Sequence, residues 1–284
     1  MEEAVKLIVQ GPQASLHIAH HVAALANARE VRPLGEHAFR CDGVKVDADI
    51  RDAVRGACAA AGVDAAFLPA SLTLKDFRLL AMDMDSTLIT IECIDEIADM
   101  QGLKAEVAEI TEAAMRGELD FSESLKRRVA LLEGLDAASL QEVFEQRLRL
   151  SPGARALLAG VKVAGLRTML VSGGFTYFTE RLQKELSLDI SRANLLEVDQ
   201  GKLTGRVSGQ IVDAQIKRAT VEAECAALGV SGSAAIVIGD GANDLAMMSV
   251  AGLSVAFRAK PVVQLQASVA LNVSGLDGVL NFFK

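Results

Sequence analysis

The chain has 284 residues and a mass of 30.0 kDa, room for one large or two medium domains. A net charge of −8 and a pI near 5.1 argue against a nucleic-acid surface, which needs a basic face, but leave room for a small anionic substrate held by a few placed cations. Apolar residues make up 51%, mostly Ala, Val and Leu, which excludes a disordered chain, and no apolar run reaches the roughly 18–20 residues of a membrane helix. The start, MEEAVKLIVQGPQ, is acidic and its apolar run is short for a signal peptide. Cys41, Cys58, Cys93 and Cys225 form no CxxC pair, so the expected setting is the reducing cytoplasm.

Residues 1–75 read as a small α/β unit. VKLIVQG predicts a strand, ASLHIAHHVAALA an amphipathic helix, and EVRPL with HAFRC a hairpin around Gly35. ADIRDAVRGACAAAG predicts a second helix and VDAAFLP a last strand. That β-α-β-β-α-β order is ferredoxin-like or ACT-like, suited to a regulatory or dimerising module through which a homodimer would form. LPASLTLKDF reads as a linker. All four histidines, His17, His20, His21 and His37, fall in this unit. The first three share one helix face, but no carboxylate or cysteine completes a metal site there, and a solvated helix face is the favoured reading.

LLAMDMDST then opens a second unit with a buried strand. Four helical stretches follow, IECIDEIADMQG, LKAEVAEITEAAMRG, DFSESLKRRVALLEG and DAASLQEVFEQRLRL, each closed by glycine or Gly-Leu-Asp punctuation. They predict a helical cap over 93–150. From SPGARALLAG onward helices alternate with apolar strands (LRTMLVSGG, AAIVIGDG, LSVAF), with a hairpin in NLLEVDQGKLTGRVSGQ. Alternation of this kind predicts an α/β fold with a doubly wound parallel sheet, its core formed by 76–92 and 151–284. The site of such a fold lies at the carboxyl ends of the strands.

Three strand ends carry unusual chemistry: Asp83-Met84-Asp85, Ser172-Gly173-Gly174 and Gly239-Asp240-Gly241-Ala242-Asn243-Asp244. Each alone could be a capped or glycine-relieved turn, and GDGAND lacks the third glycine of a dinucleotide fingerprint. Together, with Lys217 from QIKR, they bring carboxylates, a hydroxyl, amides and a cation to one sheet edge. Paired carboxylates off a strand repel each other and resist desolvation unless a cation or a proton intervenes. A carboxylate can attack phosphorus and form an aspartyl-phosphate; Asp83, first off the strand, is the expected nucleophile. A hard Mg²⁺ would suit Asp83, Asp240 and the backbone carbonyl of Asp85, with Asp244 holding metal-bound water or Lys217. With no histidine available, Asp85 is the expected acid and base. Ser172, the Gly173 amide and Lys217 would hold the phosphoryl oxygens.

DMDST, SGGF, the lysine of QIKR and GDGAND, in that order, resemble the four signature motifs of haloacid dehalogenase-like phosphatases over about residues 76–284, and among these the phosphoserine phosphatase family. The resemblance implies that Asn243 joins the substrate-binding residues and that Gly174 supports the loop. It also implies that Glu92 and Arg128 bind substrate and that Met115 and Phe121 of the cap supply apolar walls. Physically, a glutamate and an arginine fork suit the ammonium and carboxylate of O-phospho-L-serine. Arg128 alone would read as one of three solvated cations in KRRV. The implied activity is Mg²⁺-dependent hydrolysis of O-phospho-L-serine, the last step of L-serine biosynthesis, with no nucleic-acid or membrane partner. Transfer of the phosphoryl group to another hydroxyl acceptor such as homoserine stays open, as does, from a different class, an amino-acid-sensing role.

Overall fold

The computed structural model describes residues 4–284, with Met115 described by its backbone alone, so the wall expected from its side chain lies outside the described residues. The first unit runs β1 (Val5–Gln10), α1 (Leu16–Leu25), β2 (Glu30–Gly35), β3 (Ala38–Asp42), α2 (Ala48–Ala61) and β4 (Asp64–Pro69). Ser15 starts α1 by accepting from the Ile18 amide, and Asp47 starts α2 by accepting from Ile50 at 2.8 Å. Gly62, at φ 65°, ends α2 in the left-handed conformation that glycine tolerates best. The strands form an antiparallel sheet in the order β2-β3-β1-β4, the ferredoxin-like arrangement. All four histidines are exposed.

Strand alternation gives this sheet two buried faces. Leu7, Val9, Phe39 and Cys41 pack beneath α1 and α2. Ile8, Ala66 and Leu68 face the other way, into a cluster with Leu276, Val279 and Phe282 near the end of the chain. Polar contacts fix the joint. Gln10 donates to the Gly278 carbonyl at 3.1 Å and accepts from Asn281 at 2.6 Å. The Asp64 carboxylate accepts from the amides of Asn272, Val273 and Ser274 at 2.7–3.3 Å. Asp64→Ala should therefore lower unfolding free energy by about 2–4 kcal/mol, because hydrogen bonds to a charged acceptor are lost and amides are left unpaired in a buried joint. Urea denaturation checks this, and an unchanged midpoint would mean the joint contributes nothing.

The second unit is a seven-stranded sheet. It begins with β5 (Leu79–Met82), four buried residues in its centre. An insertion follows of α3 (Cys93–Met100), α4 (Lys104–Met115), α5 (Phe121–Ala130) and α6 (Ala138–Glu142), the last running on into a wide turn over Val143–Arg147. Then come α7 (Ala154–Val163), β6 (Arg167–Phe175), α8 (Thr176–Leu186), β7 (Ile190–Asp199), β8 (Lys202–Ser208), α9 (Ala214–Ala227), β9 (Ala235–Gly239), α10 (Leu245–Met248), β10 (Leu253–Phe257), α11 (Pro261–Gln266) and β11 (Val269–Leu271). The order is β11-β10-β9-β5-β6-β7-β8, parallel throughout except for the β7–β8 hairpin. The expected doubly wound sheet with inserted helices is what forms.

Two features go beyond the sequence reading. The stretch after β10 supplies a further helix, the edge strand β11 and a short helical segment at Leu276–Phe283. In addition, β6 does not stop at Ser172. Val171 pairs with Arg192 and Phe175 with Asn194, so residues 172–174 bulge out against a single residue of β7. That bulge turns Ser172 and Gly173 to the carboxyl edge, where β5 and β9 also end. No helix among the described residues is long and apolar enough to cross a membrane.

Candidate active site

Asp83 follows directly on β5 and is buried. Its Oδ1 accepts from the Met84 amide at 2.7 Å and lies 2.8 Å from Lys217 Nζ. The fourth residue of α9, Lys217 is fully buried and reaches Asp244 Oδ1 at 2.8 Å on its other side. Asp213 caps α9 by accepting from Ile216, which fixes where Lys217 enters the site. The second oxygen of Asp244 accepts from the amides of Asp240 and Gly241, each at 3.1 Å. A side chain at Gly239 would strike that same oxygen, so the glycine lets Asp244 fold back beneath the loop.

Oxygens of Asp83, Asp240 and Asp244 lie within 4.8 Å of one another. Three carboxylates thus face one ammonium. Burial and the charge of Asp244 push the Asp83 carboxyl well up, Lys217 opposing them. Burial, then Asp244 and Glu92, push Asp240 up to about 7. Burial alone would lower Lys217, but Asp244 and Asp83 outweigh it and hold the ammonium above the ordinary lysine value. The excess negative charge and all-oxygen donor set fit a hard divalent cation. Asp244 is already engaged by Lys217 and two amides, so Asp83 and Asp240 are the better-placed ligands. Thr87, buried, orients Asp240 by donating to its Oδ1 at 3.1 Å.

Residues Met84–Leu88 form one wide turn, with Ser86 at φ 54°. Within the turn Asp85 Oδ1 accepts from the Cys93 amide, at the start of α3, at 3.0 Å. Burial and Glu92 push Asp85 up to about 7, the hydrogen bond from Cys93 opposing. A Cβ at Gly174 would collide with Asp85 Oδ2 and with Met84, so the bulge of β6 and the Asp85 turn touch through a glycine. Ser172 Oγ accepts from the Gly174 amide at 2.9 Å.

A match to the haloacid dehalogenase-like hydrolase family covers residues 77–252. A phosphoserine phosphatase from Polaromonas sp. is 57% identical over 218 residues, spanning 75% of this chain and 92% of its own. Among solved structures, a haloacid dehalogenase-family hydrolase from Salmonella enterica is 30% identical and covers 99% of both chains at a TM-score of 0.90. The chain belongs to the phosphoserine phosphatase family of haloacid dehalogenase-like hydrolases. A further phosphoserine phosphatase, solved as a phospho-aspartyl intermediate analogue, is 36% identical over 73% of this chain and 99% of its own, with a TM-score of 0.69.

In this phosphoserine phosphatase family member, the inserted helices bring the other expected residues to the same edge. Asp120 caps α5 through the Glu123 amide. Of the three adjacent cations on that helix, Lys126 and Arg127 are exposed, and Arg127 pairs with Glu123 at 2.8 Å. Arg128 is half-buried, its charge lowered in pKa by burial and favoured by Asp95, Glu92 and Asp85. Glu92, at the N-terminal end of α3, keeps a surface in the cleft and accepts from Ser86 Oγ at 2.6 Å; burial raises its carboxyl. Phe121 lies against Gly173, where an added Cβ would come within 2.8 Å of the ring, so α5 closes on the bulge of β6. Asn243 is half-buried, with Oδ1 directly over Gly241. Two residues that touch the site escaped the sequence reading: Thr87, on Asp240, and Asp95, beside Arg128.

Proposed function

We infer that the chain hydrolyses O-phospho-L-serine to L-serine and inorganic phosphate, the last step of L-serine biosynthesis. The observation that carries this is the placement of Asp83 beside Lys217 at the end of β5, with Asp85 in the following turn held by the Cys93 amide and bordering Gly174. Asp83 attacks phosphorus as the bond to the seryl oxygen breaks, and Asp85 gives that oxygen its proton. Asp85 then takes a proton from water, which attacks the aspartyl-phosphate and frees phosphate and Asp83. A carboxyl near 7 suits a group that must both give and accept a proton around neutrality. Lys217, Ser172, the Gly173 amide and Asn243 bind the phosphoryl oxygens, while Phe121 keeps water from the cleft during the first step. Mg²⁺ is the metal we propose for Asp83, Asp240 and the Asp85 carbonyl; it would neutralise phosphoryl charge.

Glu92 and Arg128 read the amino-acid end, one taking the ammonium and the other the carboxylate. The same reading divides the chain into an N-terminal ACT-like module at 1–75, a core at 76–92 and 151–284, and a cap at 93–150. It places the protein in the cytoplasm, where its four buried, unpaired cysteines would stay reduced. Dimerisation through the N-terminal module is part of the proposal.

The test is substrate discrimination. Arg128→Ala should cost kcat/KM on phosphoserine about 30-fold to several thousand-fold, the equivalent of losing a buried charge-assisted contact of roughly 2–5 kcal/mol. A small phosphate ester without a carboxylate should lose far less. Glu92→Gln should show the same asymmetry through the ammonium. Equal losses on both esters would mean that the cap does not read the amino acid.

A further inference from the structure

We propose that Asn194 is a positioning residue that sets the phosphoryl-gripping geometry of Ser172 and Gly173 and ties it to the helix that carries Lys217. The inference rests on the phosphatase reading above and assigns a part to a side chain that touches no reacting atom.

Asn194 lies on β7 and is 2% exposed. It stands opposite Phe175, where β6 resumes pairing after its bulge. Its Nδ2 donates to the Gly173 carbonyl at 2.7 Å, and its Oδ1 accepts from the Val212 amide at 2.8 Å. The partners settle the amide orientation, since a carbonyl can only accept and an amide N–H only donate.

The first contact fixes a peptide plane. The peptide between Gly173 and Gly174 is held at its carbonyl by Asn194 and at its N–H by Ser172 Oγ, at 2.9 Å. Two consecutive glycines would otherwise leave that plane free to turn. A serine oxygen that accepts from Gly174 keeps its own proton for another partner, and the neighbouring space is bordered by Asp85, whose Oδ2 a Cβ on Gly174 would strike. Asn194 therefore holds the peptide that follows Gly173, and with it the Gly174 amide that leaves the Ser172 hydroxyl proton free for another partner.

The second contact reaches the other half of the grip. Val212 precedes Asp213, which caps α9 through Ile216 and accepts from the Lys217 amide at 2.9 Å. One planar head thus spans from the serine–glycine bulge to the start of the lysine helix. Only an amide offers a donor and an acceptor side by side; aspartate lacks the donor, and leucine lacks both. The competing explanation is that Asn194 merely satisfies two buried backbone groups beside a bulge. The two accounts differ in what they predict for catalysis in a folded variant.

The test uses the full chain with p-nitrophenyl phosphate and phosphoserine as substrates, orthovanadate as a phosphoryl-site inhibitor and L-serine as product inhibitor. In Asn194→Ala, kcat for both esters should fall together, by about 10- to 100-fold, as for a misplacement of catalytic groups by a fraction of an ångström to an ångström. Vanadate inhibition should weaken by a similar factor, while inhibition by L-serine stays unchanged because Glu92 and Arg128 are untouched. The double variant Ser172→Ala/Asn194→Ala should be slower than Ser172→Ala by clearly less than the factor that Asn194→Ala costs alone, since residues acting in one unit are not additive. Asn194→Asp keeps the size and the acceptor for Val212, and carries the same comparison should the alanine variant fail to fold. Wild-type kcat and vanadate inhibition in a folded variant, or losses that multiply in the double variant, would overturn the inference. Failure of the substrate reading would look different: wild type would then turn over p-nitrophenyl phosphate but not phosphoserine, and the Asn194 comparison would still be read on the aryl ester.

Discussion

Asp83→Asn should lower kcat on phosphoserine by roughly 10⁴- to 10⁶-fold, the scale on which enzymes lose rate when a nucleophile is removed. The amide oxygen of asparagine can still accept from Met84 and Lys217, and Lys217 keeps Asp244 as counter-ion, so the fold should persist with a near-native circular dichroism spectrum. Beryllium fluoride should trap the wild type as an aspartyl-phosphate mimic and should not trap the variant. Substantial turnover by Asp83→Asn, with that signature absent from the wild type, would remove the covalent route.

Chelation should be as decisive. Lys217 brings a single positive charge, shared between Asp83 and Asp244, to three neighbouring carboxylates, so without a further cation the cluster keeps an excess of negative charge. EDTA should remove activity and Mg²⁺ restore it. Mg²⁺ should also raise the melting temperature, since a ligand bound at 100 times its Kd stabilises by about 2.7 kcal/mol. Asp240→Asn should abolish or right-shift both the activation and the thermal shift. Full activity in thoroughly chelated enzyme, with a melting temperature indifferent to Mg²⁺, would rule out the metal site.

Much of this candidate site was legible in the sequence, because the proposed catalytic groups sit at punctuation points. Asp83, Ser172 and Asp240 each end an apolar run, and a carboxylate or hydroxyl at a strand end stands out against Leu79–Met82 or Ala235–Gly239. Thr87 was legible in principle, lying within DMDST, but its pairing with Asp240 spans 153 residues and no local pattern announces it. Asn194 was not legible. It reads as a hairpin residue, and its role depends on a register shift that appears only once β6 is laid against β7. The segment after Phe257 was missed for a related reason. Three strand residues, Val269–Leu271, are too few to show a period, and β11 exists because β10 offers it a parallel partner. Arg128 was singled out by resemblance. Its burial distinguishes it from Lys126 and Arg127, and burial is a tertiary property that KRRV does not encode.

The joint between the N-terminal sheet and the segment at 276–283 sets an order of events during synthesis. The first unit can form its helix-covered face as soon as residues 5–69 have left the ribosome, since those contacts are local to it. Its other face cannot close then. Gln10 waits for Gly278 and Asn281, which follow it by 268 and 271 residues, and Ile8, Ala66 and Leu68 wait for Leu276, Val279 and Phe282. At about 5–20 residues per second the nascent chain carries that bare apolar face for roughly 10–50 s, the whole time the catalytic sheet is being made. This enzyme is therefore at its stickiest in the unit made ahead of the catalytic sheet, and its yield in a cell should depend more on chaperone supply than its catalytic centre would suggest.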